Sequence, residues 1–361
     1  MRSEAAACDP SPAPAKLHYT AEKAAAFEED RATIIKLWAS GLARADMAEA
    51  KLRWYYERNP EGVPQHFFLR AEGCAKPVGV VALAEHRMRL GAESLVAGFT
   101  LDFVVEPEHR SFFPALLLQK ELLRHGRQDH AVIFGMPGAR AEAVVRRAGY
   151  RCIGQMVRSV RVLRSRAFLS RFLPGWLSAA LGPLIDRTLL AAASLQGVLN
   201  SGYVWEWRER PDAQFDALWE RIAPMQALIA VRDRAFLAWR FAESPIHAHR
   251  FFTVSTKKDG RLVAYAVCHV EAEALHVADF LVDPAAPAAG RRLWLDLSRE
   301  AYRRGHRSLS VEFLGSDGVR RDMEALGMVN REERPMYASY ENRLALSSPS
   351  NWYVTNADAD G

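Results

Sequence analysis

Two halves of this chain repeat one another, and that repetition restricts the fold more than any single motif. Trp54-Tyr-Tyr-Glu-Arg-Asn-Pro60 returns as Trp239-Arg-Phe-Ala-Glu-Ser-Pro245, and Phe67-Phe68 returns as Phe251-Phe252. Val78-Gly79-Val80 matches Val263-Ala264-Tyr265, and Ala148-Gly149-Tyr150 matches Leu326-Gly327-Met328. Between them, Leu101-Asp-Phe-Val-Val-Glu-Pro107 matches Ala278-Asp-Phe-Leu-Val-Asp-Pro284. The blocks keep their order and a nearly constant offset, as two copies of one structural unit would. A length of 361 residues leaves room for two such units.

The most informative block is Leu101 to Leu118, LDFVVEPEHRSFFPALLL. Leu101 to Val105 read as a strand carrying one carboxylate, Asp102, where strands rarely carry charge. Pro107 stops it. A short turn follows, and Ala115 to Leu123 have helical apolar spacing. A strand, a tight loop and a helix N-terminus in that order make an anion seat, because the first helical N–H groups lack internal partners.

Around this block the pattern predicts a helix from about Ala21 to Leu42 and a second from Met47 to Tyr56, ended by Asn59-Pro60. Strands are expected at Phe67–Glu72 and Pro77–Glu85, with two more within Glu93–Val105. Another strand at His130–Gly135 precedes a helix at Ala139–Ala148 that Gly149 ends, and Tyr150–Val162 returns as a strand.

This element order, with Val-x-Pro-x-x-Arg at the seat, resembles one domain of the GNAT acyltransferases. The resemblance implies an α/β fold of two tandem GNAT-like lobes, each a mixed, mostly antiparallel sheet flanked by helices, joined by a helical linker. The implied divisions are a disordered lead (1–16), lobe 1 (17–165), the linker (166–202), a degenerate lobe 2 (203–345) and a tail (346–361). Tandem lobes also resemble, distantly, the Fem-type transferases. In GNAT enzymes the loop reads Arg/Gln-x-x-Gly-x-Gly/Ala and its amides hold the pyrophosphate of an acyl-CoA. Here Arg110 takes the first position and Ala115 the last; Phe113 replaces the middle Gly, and Pro114 has no N–H.

By the same resemblance, acetyl-CoA or another acyl-CoA is the donor. Val104 or Val105 polarises the thioester carbonyl through its N–H, and Arg110, Ser111, Phe113 and Ala115 complete the donor site. Asp102 is the first candidate for taking the proton from an amine, since a carboxylate among apolar neighbours has a raised pKa. A structural acceptor role is equally open to it. Its counterpart Asp279 recurs in a lobe without the arginine loop, which favours structure. Glu106 is the second candidate, against a plain turn residue. Trp54, Tyr55 and Asp279 are candidates for the wall of an acceptor cleft between the lobes; repeated aromatics at helix ends also suit a core. The family's leaving-group Tyr would fall on Val145 and is missing. Tyr150 is expected to pack.

Composition narrows the function classes. An apolar fraction of 49% and a charged fraction of 25% are those of a soluble globular protein. The net charge of +5 comes without a basic and aromatic stripe, so nucleic acid is not expected as a partner. Cys8, Cys74, Cys152 and Cys268 form no CxxC motif and suit a reducing cytoplasm. No metal site is expected: HExxH is absent, and Asp358-Ala-Asp360 is too short to be one. The uncharged run Phe172–Ile185 is too short to cross a bilayer at about 1.5 Å per residue. Behind Arg158, Arg161 and Arg164, the segment 166–200 suits a connector buried on protein better than a peripheral membrane contact. Trp352-Tyr353 suggest that an otherwise polar tail docks on a lobe.

The expected activity is thus transfer of an acyl group, acetyl foremost, to a small-molecule or peptide amine held between the lobes. A catalytically silent tandem binding module is the alternative, motivated by Phe113, Pro114 and the missing Tyr. A donor carried on acyl-carrier protein or aminoacyl-tRNA is another.

Overall fold

Alternating burial along the strands and apolar stripes on the helices build two copies of one unit. The computed structural model describes residues 17–25, 27–41, 45–165, 174–177, 181 and 202–359. The expected lead (1–16) and nearly all of the expected linker lie outside the described residues.

Lobe 1 runs β1 (Tyr19–Lys23), α1 (Phe27–Gly41), α2 (Ala48–Leu52), β2 (Gln65–Ala71), β3 (Gly79–Leu90), β4 (Glu93–Val105), α3 (Phe112–Asp129), β5 (Val132–Gly135), α4 (Glu142–Ala148) and β6 (Arg151–Val162). Lobe 2 runs β7 (Tyr203–Arg208), α5 (Ala213–Ile222), β8 (Leu228–Ala230), α6 (Arg234–Leu237), β9 (Arg250–Thr256), β10 (Leu262–Glu271), β11 (Ala274–Val282), α7 (Pro287–Arg303), β12 (Ser308–Phe313), α8 (Asp317–Ala325) and β13 (Val329–Tyr340). The repeat extends to an irregularity: α2 widens into a π turn at Arg53–Glu57, and α6 does the same at Ala238–Ala242.

Two sequence expectations change. The helix expected from Ala21 is a short strand followed by α1; β1 pairs with β2 as an edge, and its alternation is too brief to outweigh the helix formers after it. Glu93–Val105 is one long strand rather than two.

The strands join one sheet whose main path is β1-β2-β3-β4-β5-β13-β6-β12-β11-β10-β9-β7, with β8 off this path beside β3. Under the repeat this order reads the same from both ends, with a pseudo-two-fold axis between β13 and β6. The last strands are exchanged. β6 leaves lobe 1 to pair with β12, and β13 leaves lobe 2 to pair with β5. The axis also relates two reciprocal bonds: the Trp54 indole N–H donates to the Trp239 carbonyl at 2.8 Å, and the Trp239 indole to the Trp54 carbonyl at 3.0 Å. One apolar core therefore spans both lobes, with a second under α3.

Within each lobe one parallel pair is short. β4 meets β5 only from Ala97 to Phe99, and β11 meets β12 only from Ala274 to Val277. Beyond those contacts the strands diverge and each lobe opens a wedge.

The tail enters the wedge of lobe 2 and takes up its inner end, leaving a groove of about 770 Å³ between Trp352–Tyr353 and α7. Trp352–Tyr353 form β14 beside β8, Val354 bridges to Leu314, and the Tyr353 hydroxyl donates to the Phe280 carbonyl on β11 at 2.6 Å. Arg240 donates to the carbonyls of Ala357, Asn356 and Ala359. Among the described residues no helix is long and apolar enough to cross a membrane.

Candidate active site

In lobe 1 the wedge stays open, and the end of β4 forms its edge. The Glu106 N–H donates to the carbonyl of Val78, the residue before β3, and Val104 stands opposite Val80. Hydrogen bonding alternates along an antiparallel pair, so Val104 directs its amide at β3 and Val105 directs its own away, into the wedge. The Val105 carbonyl, on that same side, accepts from Arg110 Nε at 3.1 Å and from its terminal nitrogen at 2.9 Å.

Past Arg110, Ser111 is extended and stands at the N-cap position of α3 without a side-chain capping bond. Its own N–H is taken by the His109 carbonyl, Pro114 has none, and the Ala115 N–H turns back to Ser111. The amides of Phe112 and Phe113 therefore remain, with no acceptor inside the helix. The Phe113 side chain is 64% exposed, so the missing glycine costs the seat no room. Pro114 does cost it one donor. Arg110, Ser111, Phe112, Ala115, Val104 and Val105 wall a groove of about 880 Å³, closed opposite by Gly138–Val144.

The groove runs into a smaller cavity of about 220 Å³ between the diverging strands, lined by Thr100, Asp102, Phe103, Gln119 and Tyr150 among others. Ala141, Gly138 and Phe103 belong to both. The Tyr150 hydroxyl and Thr100 Oγ1 share a hydrogen bond of 3.0 Å, and burial pushes the Tyr150 pKa well up, so the phenol keeps its proton. Gln119 is buried, and its Oε1 has no hydrogen-bond partner among the described residues, which costs stability unless a ligand donates to it. Two open amides, a guanidinium and an orphaned acceptor fit a phosphorylated, amide-bearing molecule.

Asp102 sits on the wall of this cavity in an environment that the sequence did not suggest. It lies at a bulge in β4 with φ of 54°, a left-handed backbone that non-glycine residues seldom take. Its oxygens accept from Lys51 Nζ at 2.6 Å and from the Tyr56 hydroxyl at 2.9 Å, so its neighbours are polar and paired rather than apolar. Lobe 2 builds the same device with other residues: Asp279 accepts from Arg232, Tyr265 and Thr355. Asp279, a candidate for the acceptor wall, is fully buried in that network and lines neither of these two cavities nor the space between the lobes. Glu106 is half-buried and absent from the walls of both cavities; its backbone, bonded to Val78, continues the sheet. Trp54 lines the space between the lobes, whereas Tyr55 is core, packed edge-on against Trp54 and Trp239.

That inter-lobe space is a cleft of about 530 Å³. Arg334 on β13 lines both it and the 220 Å³ cavity, so the exchanged strand carries the residue at which the two meet. Its guanidinium is 3.3 Å from Glu312. The far wall holds His247, His249, His269 and His276 with Glu271, none of which the sequence singled out. Burial, and then the neighbouring imidazoles, hold His269 down to about 3; burial and Arg240 hold His249 down to about 4; and His276 is also lowered, by burial and then Arg158. These rings are neutral at physiological pH. His-x-His at 247–249 was the only legible signal.

No family model matches the sequence, and no curated protein matches it. Solved structures do. A GCN5-related N-acetyltransferase from Anabaena variabilis superposes with a TM-score of 0.62 at 13% identity, over 90% of this chain and 73% of that one. A probable N-acyltransferase of unknown function from Enterococcus faecalis gives 0.60 at 13%, over 92% and 74%. A tandem GNAT protein from the clavulanic acid biosynthesis pathway gives 0.52 at 14%, over 90% and 98%. The doubled wedge, the arginine loop and these superpositions agree: the chain has the fold of the GCN5-related N-acetyltransferases in its tandem form.

Proposed function

We propose that this chain is an acyl-CoA-dependent N-acyltransferase, working from lobe 1 on an amine bound in the inter-lobe cleft. One contrast carries the reading: the inner end of the wedge is open in lobe 1, whereas in lobe 2 the chain's own tail occupies it and leaves only an outer groove of about 770 Å³ beside α7, without an arginine at the Arg110 position. The Phe112 and Phe113 amides and Arg110 take the pyrophosphate, with the positive end of α3 behind them. The Val105 amide meets the thioester oxygen, whose charge grows as the amine attacks. Tyr150, which keeps its proton, donates a hydrogen bond to the sulfur as the C–S bond breaks, and the attacking nitrogen releases its proton to solvent in the cleft. Asp102, clasped by Lys51 and Tyr56, holds the bulge that aims Val105 and is a positioning residue rather than the base. Acetyl is the first acyl group to try, since the inner cavity is small.

The test is calorimetric titration of the full chain with acetyl-CoA and longer acyl-CoAs, followed by thiol release with a panel of amines. One saturable site, weakened by Ala substitution of Arg110, is expected. Failure to saturate with any of these thioesters rejects the proposal. The locked Asp102 and the lost donor at Pro114 favour a second reading, a binding module without turnover. Saturable binding with no thiol release from any amine selects it.

A further inference from the structure

The histidine wall has no part in the transfer described above, and its chemistry is specific. His269 and Glu271 are two apart on β10 and so share a face of the sheet. His247, in the segment before β9, lays its ring on that of His269 at 4.2 Å between centroids. One donor atom each from His247, His269 and Glu271 lies within 4.8 Å of the other two. His276 stands directly across the hairpin from His269, with Nδ1 hydrogen-bonded to Ser310 Oγ at 2.7 Å. His249 is fixed by the Phe241 carbonyl at 3.2 Å.

Imidazoles gathered in a half-buried wall bring little apolar gain, and the buried His269 Nδ1 has no hydrogen-bond partner among the described residues. An unmet buried lone pair is costly unless something accepts it. Imidazole nitrogens beside one carboxylate are the donor set of borderline divalent metals. Bonds of about 2.0–2.1 Å to a tetrahedral ion put ligand atoms about 3.4 Å apart, a contraction that side-chain rotation can supply.

We propose that His247, His269 and Glu271 bind one divalent transition-metal cation of the zinc class. All three line the inter-lobe cleft, so the remaining coordination position opens onto it. His276 and His249 stand behind the site against the His269 ring, held by Ser310 and by the Phe241 carbonyl. Three protein ligands with one position left to solvent is the arrangement of a cation that binds a further molecule, not of a closed structural site. The ion would offer the cleft a Lewis-acidic point opposite Arg334. This assignment does not rest on the transferase reading, since metal binding is measured without any acyl donor.

The experiment uses the full chain without a histidine tag, stripped with chelator and dialysed. Zn²⁺ is titrated by calorimetry, and Co²⁺ by its visible d–d absorption. One saturable Zn²⁺ per chain and Co²⁺ bands of a four- or five-coordinate site are expected. His269→Ala and Glu271→Gln should each weaken binding by more than about a hundredfold, beyond the range that loss of an outer partner costs. Glu271 is exposed, so its variant keeps the fold. His18→Ala, at an exposed position outside the cleft, should bind like the parent. No saturable binding, or binding that His269→Ala and Glu271→Gln leave unchanged, overturns the assignment.

Discussion

Replacing Arg232 by Met tests the claim that the tail is held in place by buried charge. Arg232 is 1% exposed and donates to Asp358 at 2.6 Å, to the Ala230 carbonyl at 3.1 Å and to Asp279 at 3.2 Å. Methionine keeps most of the apolar stem and strands two buried carboxylates. Removing one partner of a buried pair costs about 3–5 kcal/mol. Unfolding entropy is about 2.1 cal/mol/K per residue, so over the whole chain that loss lowers the midpoint by roughly 4–7 °C. Burial already raises the Asp279 pKa above the ordinary carboxylate value, outweighing Arg232. A group raised in this way stabilises the fold below its unfolded pKa and loses that contribution as pH rises through the folded value. Without Arg232 the folded value rises further. The deficit of Arg232→Met should therefore be largest near neutrality and shrink as pH falls towards about 5. Thermal unfolding of both proteins at matched scan rates measures it, and Asp279→Asn in the variant background should recover part of the loss. Limited proteolysis should then cut within 346–359. A midpoint within about 1 °C of the parent, or a deficit that grows on acidification, would refute the reasoning.

Two further outcomes follow from the geometry. Ala141→Phe places a ring where the groove meets the inner cavity. It should weaken acyl-CoA binding by about tenfold or more while unfolding within about 1 kcal/mol of the parent, measured by calorimetry and denaturant titration. Trp54→Phe and Trp239→Phe each remove one of two reciprocal bonds and should cost about 1–3 kcal/mol apiece. The double variant should depart from the sum by about 0.5 kcal/mol or more in denaturant titrations, because the bonds link the same two residues.

Much of the architecture was legible because it was written twice. Trp54 and Trp239, or Asp102 and Asp279, are recognisable as counterparts without coordinates, and the tandem fold follows from them. The arginine loop was legible too, since an anion seat needs only a local order of strand, turn and helix. Val105 rather than Val104 was not: the choice depends on which amides β3 occupies, and so on a register set across two strands. Phe113 looked like an obstacle in one dimension, yet its side chain points to solvent.

Sequence alone determined the period of the longer segments, and with it most of the elements and their duplication, because periodicity is local. The tertiary structure decided what each element faces. β6 and β13 satisfy the same alternation whichever lobe they join, so the exchange that brings Arg334 to the junction of two cavities left no mark on either strand. Asp102 reads as a carboxylate in an apolar run until Lys51, from a helix far upstream, closes on it. The imidazoles at 247, 269 and 276 become neighbours only when a loop and a hairpin meet. Partners of this kind are chosen by packing across the whole sheet, and the spacing of residues along the chain carries no record of that choice.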